Sequence, residues 1–405
     1  MTRKSLGASG QQRLPASISA LQSMRDQVRP ITVGERRGRI VKAQRLMAEN
    51  KMDAVLLVGG ASLFYFTGIR WGNSERLFAC LIPAHGKAFC VSPSFEEDRA
   101  REQLNRGPLE DAAVVTWHED QNPYTLVAGG LKNLGISSGT LGIDESTPWV
   151  FSEGISKVTP SLHLVSATSI TAGCRMLKSA HELDLMRLAN RATLTVYQAV
   201  YHALEPGMSQ NQAEELISAA YERVGFPGEA SVETDAGSAL PHGSEKPQKI
   251  RDNSLVMIDD GCEVEGYNSD ITRTFVIGKA TDKMKRAFDL VKQAQSAALK
   301  AARPGVECQA VDAAARKVIV DGGYGPDYKY FSHRLGHGIG LEGHEWPYLV
   351  RGNTLPLAPG MTFSDEPGIY LPGQFGMRLE DDMYITSNGA ELFTPQSPSL
   401  EHPFG

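Results

Sequence analysis

Residues 256–275, VMIDDGCEVEGYNSDITRTF, carry five carboxylates between two apolar runs. Val256, Met257 and Ile258 form the first run and residues 271–277 the second, with Gly261 and Gly266 breaking the chain between them. This pattern predicts two strands joined as an antiparallel hairpin. With the turn centred between Val264 and Glu265, Asp259 and Asp270, eleven residues apart, face each other on one side of the sheet. Two carboxylates so placed repel and lose hydration unless one keeps a proton or a cation lies between them. A bound cation is the simplest explanation of the arrangement.

A chain of 405 residues has room for two or three domains and a substantial core. With 41% apolar residues, 22% charged residues and a net charge of −6, it has no basic excess to attract nucleic acid, which is not expected as a partner. The five cysteines, Cys80, Cys90, Cys174, Cys262 and Cys308, are scattered without a C-x-x-C pair and read as reduced core residues. No apolar run approaches the ~18 residues of a membrane span, and no partner membrane is expected. The first 30 residues lack a signal-peptide core, so a cytoplasmic location is the default expectation.

Residues 1–30 read as a flexible polar leader. From 31 to 173 short strands and helices alternate, including a hairpin of LFACLIP and KAFCVSP around AHG, as in an α/β domain. The texture changes near Gly173, where Ser179 and Glu182 form a helix-start pattern before a long amphipathic stretch. Residues 174–405 then interleave helices near 209–224, 281–303 and 309–321 with Gly-rich and Pro-rich strand segments, an α+β layout.

Three further segments concentrate residues able to act on a substrate or hold a metal. LPHGSEKP offers His242, FSHRLGHGIGLEGHEWP offers His333, His337 and His344, and FSDEPGIYLPGQFGMRLEDDMYI offers Glu366 and Glu380. An isolated histidine is more often a satisfied core or surface residue, and a lone carboxylate is usually solvated; the joint occurrence carries the argument. Strand alternation sends Arg378 and Glu380 to one face. Four carboxylates and an imidazole suit hard or borderline divalent ions, manganese foremost, and their charge is more naturally balanced by two ions than by one.

At these residues the sequence resembles the creatinase, aminopeptidase P and prolidase family of pita-bread metallopeptidases. IDDGCEVEGYNSDITRTF, HRLGHGIGLEGHEWP, SDEPGIY and GMRLEDD match its successive signature blocks across essentially the whole chain. The resemblance implies a creatinase-like α/β N-terminal domain followed by an α+β pita-bread catalytic domain, and a homodimer. It implies two divalent ions per subunit, manganese before zinc, cobalt or iron, held by Asp259, Asp270, His337, Glu366 and Glu380. Glu366, His344, His333 and Arg378 take catalytic positions, and His242, His333, His344 and Tyr370 line the substrate side. The implied reaction is hydrolysis of the bond before proline, in a small peptide with proline second, by a hydroxide held between the ions. Members divide into Xaa-Pro dipeptidases, the preferred reading, and aminopeptidases P that act on longer peptides.

Two positions depart from the family pattern. Asp260 and Asp365 stand beside ligands where apolar or neutral residues are usual; alternation turns both away from the metals, into either a hydrogen-bond network supporting the ligands or, the preferred expectation, a satisfied polar pair behind the sheet. Rival readings are weaker. GIGLEG at 338–343 satisfies G-x-G-x-x-G but lacks the strand before and helix after that a nicotinamide site requires. A metal-free binding protein on this fold, or the metal-independent creatinase, would be expected to have a broken ligand set. Another metal-dependent hydrolase or lyase reaction on the same fold is the further alternative.

Overall fold

The computed structural model describes residues 14–405. Two compact units are built from them.

Pro30–Glu182, with Glu345–Pro347, form the first. Its six strands run in the order Ala113–Trp117, Phe89–Pro93, Ala79–Pro83, Ala54–Val58, Gly139–Ile143, Leu162–Ser166. Ala54–Val58 is buried along its whole length, as a strand apolar on both faces must be. It pairs antiparallel with Ala79–Pro83 and parallel with Gly139–Ile143. Leu56, Leu81, Phe89, Leu141 and Phe151 are among the residues of its core. The helix Val33–Glu49 starts on a capping box in which Thr32 and Glu35 satisfy each other's backbone N–H groups. Ser179 and Glu182 form the reciprocal pair that their spacing predicts.

The second unit comprises Leu183–His344 and Tyr348–Gly405, with residues 14–29. The division therefore falls after Glu182, not at Gly173, because the helix Thr168–Arg175 packs on Val33–Glu49 within the first unit. Of the expected leader, residues 1–13 lie outside the described residues. Residues 14–29 are not a loose tail: Ile18 is fully buried, Met24 N–H bonds Val224 O at 2.9 Å and Arg223 bonds Ser19 O at 2.9 Å.

Ser254–Asp260 is the central strand of a three-stranded sheet, between Ile271–Ile277 and Ser231–Thr234. Gly336–Gly338, Thr362–Asp365, Asp381–Ile385 and Ala390–Leu392 follow one another in a second sheet, and Gly368–Leu371 pairs with Phe375–Arg378. The helices Gln210–Val224, Asp282–Ala301 and Cys308–Ile319 are present in this unit. The fold is thus an α/β domain followed by an α+β domain. No helix of the described residues is long and apolar enough to cross a membrane.

The acidic hairpin forms with a different register from the one expected. Its turn is the Glu265–Gly266 pair, both at positive φ (52° and 90°), with Val264 opposite Tyr267. Two central residues at positive φ match a type I′ turn, whose twist suits the flanking strands. Asp259 consequently faces Thr272, and Asp270 is its diagonal neighbour. A displacement of two residues preserves the faces of the strands, so both carboxylates still serve one side.

Candidate metal centre

Five strands or strand ends deliver the expected ligands. Asp259 stands near the end of Ser254–Asp260, Asp270 just before Ile271–Ile277, His337 within Gly336–Gly338, Glu366 just after Thr362–Asp365, and Glu380 between Phe375–Arg378 and Asp381–Ile385. Glycine permits one of these approaches: a Cβ on Gly336 would lie 2.0 Å from Ser364 O, so only a bare backbone brings His337 beside Glu366.

The side chains form three overlapping groups: Asp259, Asp270 and Glu380; His337, Glu366 and Glu380; and Asp270, His337 and His344. Within each group the potential ligand atoms all lie within 4.8 Å of one another. All five expected ligands are brought together. His344 joins them at the edge, its ring stacked on His337 at 3.6 Å.

Burial makes this cluster electrostatically expensive without a cation. Desolvation and the neighbouring carboxylates push Asp270 and Glu380 well above the ordinary range, and burial pushes Glu366 up to about 8. Arg378 opposes part of the charge: its Nη2 bonds Asp259 Oδ2 and its Nε donates to Thr272 Oγ1 at 2.9 Å. Four ionised carboxylates against one guanidinium leave three negative charges, more than a single divalent ion neutralises. Glu380 Oε1 is buried with no hydrogen-bond partner among the described residues. An orphaned carboxylate oxygen in an oxygen-rich cluster fits a hard divalent ion.

His337 is prepared to be a ligand. Burial pushes its imidazolium down to about 3, so the ring is neutral, and Nδ1–H donates to Gly338 O at 3.2 Å. Nε2 is left with its lone pair toward Asp270 Oδ2 at 3.7 Å and Glu366 Oε1 at 3.5 Å.

Beside the ligands runs a chain of oriented hydrogen bonds. Arg378 Nη1 donates to the Tyr370 hydroxyl at 2.9 Å, Tyr370 donates to His333 Nε2 at 2.7 Å, and His333 Nδ1–H donates to Arg334 O at 2.7 Å. The carbonyl can only accept, which fixes this tautomer. Burial pushes His333 down to about 3 as well, so the ring is neutral and both its nitrogens are engaged. His242 is exposed and belongs to none of the ligand groups; Arg378 Nη1 holds the preceding residue by Pro241 O at 3.0 Å.

Several supporting residues escaped the sequence reading. The Thr272 hydroxyl contacts both Asp259 and Glu380. Ser364 donates to Glu366 at 3.3 Å and accepts the His337 N–H at 3.0 Å. Asp382 accepts the Asp270 N–H at 3.0 Å and an Asn190 amide hydrogen at 2.9 Å. Thr272 and Ser364 each lie two residues from a ligand on the same strand face, a signal that alternation carries.

Asp260 and Asp365 do not form the polar pair expected of them. Asp260 is exposed and its Oδ1 accepts the Gly261 N–H at 3.0 Å. Asp365 is fully buried opposite Asp381, and neither of its oxygens has a hydrogen-bond partner among the described residues. Asp381 is already satisfied by Arg273, Thr394 and Gln295.

This fold and this clustered donor set define a two-domain metallohydrolase. Residues 184–387 match the model of metallopeptidase family M24 and residues 39–177 that of the creatinase/prolidase N-terminal domain. A probable dipeptidase of Mycobacterium tuberculosis is 35% identical over 358 residues, covering 87% of this chain and 92% of its own. The Xaa-Pro dipeptidase of Lactobacillus delbrueckii subsp. lactis is 32% identical over 368 residues, covering 89% and 97%. The crystal structure of a dipeptidase from Mycobacterium ulcerans superposes with a TM-score of 0.85 at 33% identity, covering 92% of this chain and 99% of that one. The chain belongs to metallopeptidase family M24, and it is a divalent-metal-dependent peptidase.

Proposed function

We propose that this enzyme hydrolyses the imide bond of Xaa-Pro dipeptides, with two manganese ions held by Asp259, Asp270, His337, Glu366 and Glu380. The observation that carries the reading is the convergence of these five residues in overlapping groups, in a chain whose relatives include a named Xaa-Pro dipeptidase. When bound, the ions supply Lewis acidity toward water and the scissile carbonyl.

The chain's own groups do the rest. Glu366 takes a proton from the attacking water and passes it to the leaving imide nitrogen. His344, at the edge of the cluster, donates to the oxygen on which negative charge develops. His242, His333 and Tyr370 form the substrate side, with Arg378 tying that wall to Asp259. A homodimer is part of the proposal on family resemblance alone, and a cytoplasmic location on the default expectation from the sequence.

Hydrolysis of Ala-Pro beside Ala-Ala and Ala-Pro-Ala tests the substrate. Cleavage of Ala-Pro in preference to both others supports the reading. Preference for the tripeptide would make the enzyme an aminopeptidase P, and equal cleavage of Ala-Ala would remove the role of proline.

A further inference from the structure

Asp312 and Arg316 lie one turn apart on the helix Cys308–Ile319, 2% and 4% exposed. They form a bidentate ion pair, Nε to Oδ2 at 3.0 Å and Nη2 to Oδ1 at 2.9 Å. The pair is also spent on another segment. Arg316 donates to Phe331 O and His333 O, each at 2.8 Å, and Asp312 Oδ1 accepts the Leu335 N–H at 3.0 Å. Three alternate residues of an irregular stretch are thus pinned by one ion pair, and His333 is the middle one. The aromatic rings of Tyr328 and Phe331 hold the guanidinium itself, 4.1 and 4.2 Å from its carbon.

Stability alone does not call for this arrangement, since a buried ion pair is often matched or surpassed by apolar residues of similar volume. What apolar residues cannot do is bond two carbonyls and an N–H at fixed positions, and a lysine cannot reproduce the planar fork. Neither residue belongs to a ligand group. The next links lead to the site: His333 bonds Tyr370 at 2.7 Å, and Leu335 O accepts the Glu366 N–H at 3.0 Å.

We propose that Asp312 and Arg316 are positioning residues that set the His333 ring, and through it the Tyr370 hydroxyl, on the substrate side of the centre. The inference rests on the reading of His333 as a substrate-side residue.

The test is a double-mutant cycle on manganese-loaded protein, with Ala-Pro as substrate and manganese binding measured separately. Arg316→Met is expected to bind manganese with wild-type stoichiometry and to lose on the order of 10²-fold in kcat/KM, the size of a misplaced binding group. Combined with His333→Ala it is expected to lose no more than His333→Ala alone. Losses that multiply, an unchanged kcat/KM, or loss of manganese would overturn the proposal. If Arg316→Met does not fold, Arg316→Lys carries the same cycle with a smaller loss and the same criteria. In the metal-free protein, where no paramagnetic manganese broadens it, the His333 Nδ1 proton resonance gives a readout that needs no substrate: it should shift or vanish in either Arg316 variant, and an unmoved resonance overturns the proposal. Wild-type protein that leaves Ala-Pro intact would count against the functional reading alone, and the resonance would still decide the positioning.

Discussion

The Thr272 hydroxyl ties Asp259 to Glu380, bonding Glu380 Oε2 at 2.6 Å while contacting the carboxylate that faces it across the hairpin. It has one proton to give and accepts another from Arg378 Nε. Two carboxylates around one donor are restrained together yet left short of hydrogen, an arrangement a metal ion completes.

Thr272→Val keeps the β-branched shape and removes the hydroxyl. It is expected to weaken manganese binding roughly 10- to 100-fold, the usual cost of losing a group that orients ligands. Titration of the metal-free variant with manganese measures this; wild-type affinity would show that the hydroxyl does not order the ligands.

Metal binding is expected to release protons. Near pH 7 the metal-free centre retains a proton on Glu366, pushed up to about 8, while burial and the neighbouring carboxylates raise Asp270 and Glu380 well above the ordinary range, so both hold their protons more tightly than a free carboxyl does. Manganese displaces them, so its affinity rises with pH and falls on acidification. Calorimetric titrations at pH 7 in two buffers of different ionisation enthalpy should give different apparent enthalpies. Identical values would mean that the carboxylates are already ionised in the metal-free protein.

Asp365 is expected to be a liability. Its fully buried carboxyl is raised well above the ordinary range by burial and by Asp381. In the unfolded chain it ionises near pH ~3.9. Above that value the unfolded state binds fewer protons than the folded state, so the group lowers stability as pH rises, until its own raised value is passed. Asp365→Asn should therefore be more stable than wild type at pH 8 by about 1–3 kcal/mol, with the difference shrinking toward pH 4. Denaturant unfolding with chelator present at both pH values measures it. A less stable variant at pH 8 would point to a partner for this carboxylate that the hydrogen-bond network lacks.

Much of this was legible in the sequence, for physical reasons. Strands and helices announce themselves through periodicity, and Asp259 and Asp270 through the cost of placing acids side by side in apolar segments, whereas the full set of five ligands is what the resemblance of the signature blocks implies. The hairpin register did not, because it depends on Glu265 adopting positive φ, a choice that nothing but the following Gly266 foreshadows. Asp365 illustrates a second limit: alternation turned it away from the metals, but only the packed strands reveal that its neighbour Asp381 is already satisfied. Asp312 and Arg316 illustrate a third. Their i, i+4 spacing reads as an ordinary helix pair, and its use becomes visible only when the distant 331–335 segment is folded against it.

The decisive measurement is hydrolysis of Ala-Pro by chelator-stripped protein as manganese is returned one equivalent at a time, with bound metal counted in parallel. The account expects no activity without metal and full activity as the second equivalent binds. A protein that binds two equivalents and leaves Ala-Pro intact would contradict it.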